Sequence, residues 1–169
     1  YRLSSGEISH YELLLRMIRD GEVILPGAFL PYAEDSDLIS RIDHWVLQNG
    51  IRICQSTPVA INLSGRSVSD TMLGSVIARQ IEECKVDPSR LRFEITESVA
   101  IANLPAARKL VGDLSSLGCQ VSLDDFGTGY GSFTYLKNLP VDEIKIDASF
   151  VQDLTTDQAS RRVVDSLVS

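Results

Sequence analysis

Residues Gln120 to Phe150 read QVSLDDFGTGYGSFTYLKNLPVDEIKIDASF. Val121 and Leu123 alternate with Ser122 and Asp124 in the period-2 pattern of a strand. The strand runs into two consecutive carboxylates, Asp124 and Asp125, and then a glycine-punctuated turn. The pattern recurs in EIKID, where Ile144 and Ile146 share one face and Lys145 and Asp147 the other. Acids and a cation thus sit at the carboxyl ends of neighbouring strands, where parallel α/β folds carry out their chemistry.

Working outward, strand-like and helix-like units alternate. Tyr11–Arg16, YELLLR, reads as a strand with Glu12 and Arg16 on a face that should be interior. A turn-rich stretch with Gly21, Pro26, Gly27 and Pro31 follows. Leu38, Ile39, Ile42, Trp45 and Val46 then fall at helical spacing over 36–49, with Asp35 or Ser36 to cap the start, Gly50 to end the helix and Trp45 in the core. Val59–Ser64 predicts a strand ending near Asn62, and 69–85 a helix with Leu73, Val76, Ile77 and Ile81 buried. Leu91–Glu97 is a strand with Arg92, Glu94 and Thr96 inward. Pro105–Leu117 is a helix with Gly118 at its C-cap, and 160–168 is a last helix.

Five strand-then-helix units predict parallel pairing. A doubly wound sheet would carry a glycine-rich phosphate loop after its first strand, and none follows YELLLR. Alternating strands with a polar inner face instead predict a (β/α)8 barrel of TIM type, incomplete here because closure takes about 250 residues and the chain has 169.

Composition narrows the function. The chain is 44% hydrophobic and 23% charged, enough for a real core, and its net charge of −7 disfavours a surface that grips long nucleic acid through phosphates. Cys54, Cys84 and Cys119 have no metal-ligand spacing and read as core residues in a reducing cytoplasm. No apolar run approaches the roughly 18 residues of a membrane span, and His10 and His44 form no ligand set.

The inward polar residues nearest the strand ends are Glu12, Asn62, Glu94, Asp124 with Asp125, and Lys145. They come from five strands and offer the oxygen ligands that hard divalent cations take, with one ammonium beside them. Two such ions roughly 4 Å apart form a clamp for phosphodiester hydrolysis. Each residue also has a plain structural reading: Glu12 with Arg16 as an internal ion pair, Asn62 as a helix cap, Asp124 and Asp125 as a turn device, Lys145 as an exposed lysine.

Together YELLLR, INLSG, FEITES, DDFGTGYGS and LPVDEIKID, in this order, resemble the EAL family of cyclic di-GMP phosphodiesterases along the whole of residues 1–169. The resemblance implies a TIM-like barrel with one antiparallel strand, and hydrolysis of cyclic di-GMP to linear pGpG in bacterial second-messenger signalling. It implies two divalent ions, Mg2+ or Mn2+, with Glu12, Asn62, Glu94 and Asp124 as ligands and Asp125 at the second ion. Lys145 would contact the catalytic water, Arg16 a ligand phosphate, and Glu97 would brace the loop after its strand. A homodimer, fusion to sensor or GGDEF domains, and a cytoplasmic setting follow from the same resemblance.

The alternative is a catalytically silent EAL domain serving as a cyclic di-GMP receptor or a protein-interaction module. Leu13 replaces the motif's Ala, and Gly131 and Phe133 stand where the family usually has Ser and Leu. The segment reads as a partial EAL domain, lacking the family's opening Gln-Pro strand and ending before its A-E-G-V-E and Q-G-Y segments. By itself it is expected to be inactive and to expose unpaired barrel edges.

Overall fold

A computed structural model describes residues 2, 4–127, 133–152, 154, 155, 158, 161, 162, 164 and 165. Its centre is a five-stranded sheet, β1 (Tyr11–Leu13), β4 (Val59–Asn62), β5 (Leu91–Thr96), β6 (Gln120–Phe126) and β7 (Glu143–Ile146), in that spatial order. Every pairing is parallel. Spatial order that follows chain order, with helices between the strands, is the winding of a barrel rather than of a doubly wound sheet. The fold is therefore a partial barrel of TIM type. Among the described residues β1 and β7 are its edges, flanked by the exposed apolar side chains Tyr11, Leu14, Ile144 and Val151.

The outer face of the sheet buries Val59, Ile61, Leu91, Phe93, Ile95, Val121 and Leu123. Three helices supply the other half of this core: α2 (Leu38–Cys54), α4 (Leu73–Cys84) and α6 (Leu104–Ser116), through residues such as Leu47, Ile51, Ile77, Leu110 and Leu114. The inner face is polar even low in the barrel. Buried Arg92 donates to Ser122 Oγ (3.1 Å), to Gln120 Oε1 (2.7 Å) and to Glu143, tying β5, β6 and β7 together beneath the site. Asp142 fixes the start of β7, its carboxylate accepting from Val121 N at 2.7 Å.

Several sequence expectations are corrected. The first strand stops at Leu13, not Arg16, because the chain turns into a hairpin of β2 (Met17–Arg19) and β3 (Glu22–Ile24). Asp20 and Gly21 join them, both at positive φ, and an Asp-Gly pair of that geometry is a strong short-range hairpin signal. After the short α1 (Leu30–Glu34), α2 runs on past Gly50 and has no side-chain cap. Gly50 is there for close approach: a Cβ would stand 2.6 Å from Ile61 Cδ1 and 3.2 Å from Leu13 Cδ1. The face of α2 that packs on β4 is therefore Ile39, Asp43, Leu47, Gly50, Ile51 and Cys54. Trp45 lies off that face and is 58% exposed instead of in the core.

Two helices replace the one expected over 69–85: α3 (Gly65–Val68) and α4, which ends at Lys85 in the left-handed conformation. Between β5 and α6 lies α5 (Glu97–Ala102), where Thr96 caps the start. Pro105 in the first turn of α6 and Gly118 at φ 89° fall where their chemistry predicts. Among the described residues β6 leads to a 3-10 stretch, Phe133–Asn138, and β7 to α7 (Ala148–Gln152). Of the helix expected over 160–168, Arg161, Arg162, Val164 and Asp165 are helical, and its other residues and the departure at Gly131 lie outside the described residues.

Gly50→Ala tests the close approach. In an open helix the change stabilises by about 1 kcal/mol. Here the new methyl must displace buried Ile61, and overpacking of about 1–3 kcal/mol should make the variant less stable in chemical denaturation. A second expectation concerns thiols. Burial pushes Cys119 up to about 12 and raises Cys54, whereas Cys84 is only half-buried. Alkylation of the native protein near pH 8.5, about the ordinary thiol value, should mark Cys84 and spare the other two by mass spectrometry.

Candidate metal centre

Each strand brings one group to the upper, carboxyl-end mouth of the barrel. Asn62 pairs directly with Glu94, but the other groups do not all share that register row. Glu12 pairs with Ala60, two residues short of Asn62, and Glu94 pairs with Ser122, two short of Asp124. This stagger is what strand tilt in a barrel imposes, and it gathers residues that a flat sheet would spread apart.

At the centre stands Lys145. Its Nζ lies 2.9 Å from Glu94 Oε2, 3.0 Å from Asp124 Oδ2 and 3.6 Å from Glu12 Oε2. Asn62 completes the ring by donating Nδ2 to Glu12 Oε1 at 2.9 Å. One ligand oxygen from each of Glu12, Glu94 and Asp124 falls within 4.8 Å of the others. The plain readings of Asn62 and Lys145 therefore fail: the cap of α3 is Ser64, and Lys145 is 29% exposed and enclosed by acids.

A local irregularity aims the acid pair. Between Leu123, opposite Ile144, and Phe126, opposite Ile146, β6 has two residues where β7 has only Lys145. Such a bulge re-aims side chains beside active sites. Asp125 takes its left-handed place, at φ 55°, and its N–H donates to Asp124 Oδ1 at 3.0 Å. Asp124 thereby faces Lys145, and Asp125 stands outside the three-carboxylate cluster. Burial raises the Asp125 carboxyl above its ordinary value, with Asp124 and Asp147 adding to the effect.

Glu94 is the most telling member. Burial raises its carboxyl although Lys145 donates to it, and its Oε1 is buried with no hydrogen-bond partner among the described residues. Burial works against the Lys145 ammonium, but its hydrogen bonds to Glu94 and Asp124 prevail and hold it above the ordinary lysine value. A ring of hard oxygen donors with an orphaned buried carboxylate oxygen fits a divalent cation.

Two other expected residues, Arg16 and Glu97, lie elsewhere, as does Asp147, which alternation puts on the face of Lys145. Arg16 donates Nη1 to Leu15 O at 2.7 Å and lines a groove with Met17, Phe29, Arg41 and Trp45, so it pairs with none of the acids. Glu97 is buried, and its Oε2 accepts from Gly127 N at 2.8 Å; the loop it contacts follows β6 rather than its own strand. Asp147 turns to cap α7, accepting from Ser149 N at 2.9 Å. The sequence gives no signal for the hydroxyl partners of buried Asp43, because the helical spacing of Leu38, Ile39, Ile42, Trp45 and Val46 centres the apolar face of α2 away from it.

The sequence model of the EAL domain matches residues 1–169. The chain belongs to the EAL domain family. Cyclic di-GMP phosphodiesterase PdeF of Escherichia coli K12 is 35% identical over 170 residues, 96% of this chain and 23% of PdeF. The bifunctional diguanylate cyclase/cyclic di-GMP phosphodiesterase MucR of Pseudomonas aeruginosa is 36% identical over 98% of the chain and 25% of MucR. In the solved cyclic di-GMP complex of the MucR phosphodiesterase, 93% of this EAL chain superposes on 67% of that chain with a TM-score of 0.83 and 36% identity. The FimX EAL domain from Pseudomonas aeruginosa bound to cyclic di-GMP gives a TM-score of 0.88 at 32% identity, covering 97% of this chain and 69% of that one. The chain spans about a quarter of the length of these curated relatives. No helix among the described residues is long and apolar enough to cross a membrane.

Lys145→Met, read in chelator-treated protein, tests how the acids are held. The cation opposing the burial of Glu94 disappears, so the Glu94 carboxyl climbs further. A raised folded value means stability kept below the unfolded carboxyl value of about 4.3 and lost as pH rises through the folded one. The variant should be near wild-type stability at about pH 4 and roughly 3 kcal/mol weaker at neutral pH, the lower end for breaking a buried pair, because Lys145 retains some exposure. Urea unfolding at the two pH values measures it.

Proposed function

We propose that this EAL chain is the catalytic part of a metal-dependent phosphodiesterase that hydrolyses cyclic di-GMP to linear pGpG. The observation that carries this reading is the convergence of Glu12, Asn62, Glu94 and Asp124 on one point, with Glu94 Oε1 orphaned. The phosphodiesterase names of PdeF and MucR support the substrate, and the cyclic di-GMP complexes of MucR and FimX support cyclic di-GMP as the ligand.

Glu12, Asn62, Glu94 and Asp124 hold the cations, Mg2+ or Mn2+, with Asp125 contributing to the second. When bound, the pair supplies activation of a water and neutralisation of phosphate charge. Lys145 is held in its charged form, so it acts as a fixed donor that steadies the nucleophile or the developing charge, not as a base. Arg16 is released from Leu15 O to take a phosphate oxygen. Glu97 anchors the Gly127 N–H, where the chain leaves β6 beside the acid pair. The protein acts in the cytoplasm as a homodimer, with sensor or GGDEF domains on the same chain, as in the two-activity name of MucR.

Chromatography of cyclic di-GMP incubated with the full-length protein and Mg2+ should show pGpG. Lys145→Ala should lower kcat about 100-fold or more, the scale of losing one positioned electrostatic group. Tight binding of cyclic di-GMP without turnover would instead make the domain a receptor.

A further inference from the structure

Asp43 is a buried acid that the centre described above does not use. It is 7% exposed on α2 and has no ion pair among the described residues. Its Oδ2 accepts from the hydroxyls of Ser64 and, at 2.6 Å, Ser67. Burying a carboxylate without a cation is costly, and a packed hydrophobe at this position would serve stability as well or better. The geometry offers another reason for the acid.

The two serines belong to the turn that follows Asn62. The sheet ends there with Leu63 N bonded to Glu94 O at 2.9 Å, and Ser64, extended at φ −72° and ψ 162°, caps α3 by accepting from Ser67 N. Asp43 lies seven residues before Gly50, two helical turns along the same face of α2, the face seated on Ile61 of β4. One rigid helix therefore touches β4 at its middle through Gly50 and grips the turn beyond its end through Asp43. Between those two points stands Asn62, whose Nδ2 is committed to Glu12.

We propose that Asp43 is a positioning residue, which sets the place of Asn62 in the metal centre by pinning Ser64 and Ser67 to α2. The inference rests on reading that centre as a cation site. Partners at one remove from a ligand commonly govern metal affinity by 10- to 100-fold, and a displacement of about 1 Å in a catalytic group can cost about 100-fold in rate.

The experiment titrates Mn2+ by calorimetry into the full-length protein, Asp43→Leu and the double variant Ser64→Ala/Ser67→Ala, and measures cyclic di-GMP hydrolysis and melting temperature beside it. Asp43→Leu should bind Mn2+ about 10- to 100-fold more weakly and lose kcat with little change in KM, without a matching fall in melting temperature. The double variant Ser64→Ala/Ser67→Ala keeps the acid and cuts both of its links to the turn, so it should show the same direction of loss. Asp43→Asn retains an acceptor oxygen and should recover part of the affinity. Undiminished Mn2+ affinity in Ser64→Ala/Ser67→Ala overturns the proposal whether or not Asp43→Leu folds. Failure of the wild type to take up Mn2+ overturns the cation-site reading as well, and so separates the two.

Discussion

Three carboxylates from three strands meet one ammonium, and the arrangement of the barrel mouth depends on that contact. Burial raises the carboxyl of Glu94, whose side chain is fully buried, Glu12 and Asp124 add to the rise, and Lys145 at 2.9 Å opposes it. The same ammonium fixes how β7 must stand against β6. Asp142 at the foot of β7, the Arg92 network in the layer below and the bulge at Asp124 and Asp125 all act on this placement. Polar residues that would be liabilities in an ordinary core thus hold the register of the sheet.

The outer layer does the complementary work. Helices α2, α4 and α6 bury the apolar outward residues of β4, β5 and β6, which frees the inner face to be polar. Gly50 brings α2 into contact with Ile61, and this closeness lets Asp43 reach the turn after Asn62. Packing on one side of a strand and ligand placement on the other are therefore coupled through a single helix face.

Much of this was legible in the sequence because period-2 alternation reports which face a residue occupies. Strand alternation puts Glu12, Asn62, Glu94, Asp124 and Lys145 on inward faces, and the structure brings all five together. Parity says nothing of stagger, so it could not show that the five meet at one height. It also breaks at a bulge, so the sequence pairs Asp125 with Asp124 although the chain turns it aside. YELLLR alternates throughout, which puts Arg16 on the first strand, yet the Asp20-Gly21 hairpin ends that strand at Leu13. Gly50 carried a stop signal by local propensity, and close approach to β4 overrode it.

Anomalous diffraction from crystals of the full-length protein grown with Mn2+ and a non-hydrolysable cyclic di-GMP analogue tests the central claim most directly. The account predicts two manganese peaks about 4 Å apart, ringed by Glu12, Asn62, Glu94 and Asp124 with Asp125 beside the second. No manganese among these residues, with Lys145 still seated between Glu94 and Asp124 while the analogue is bound, would contradict it.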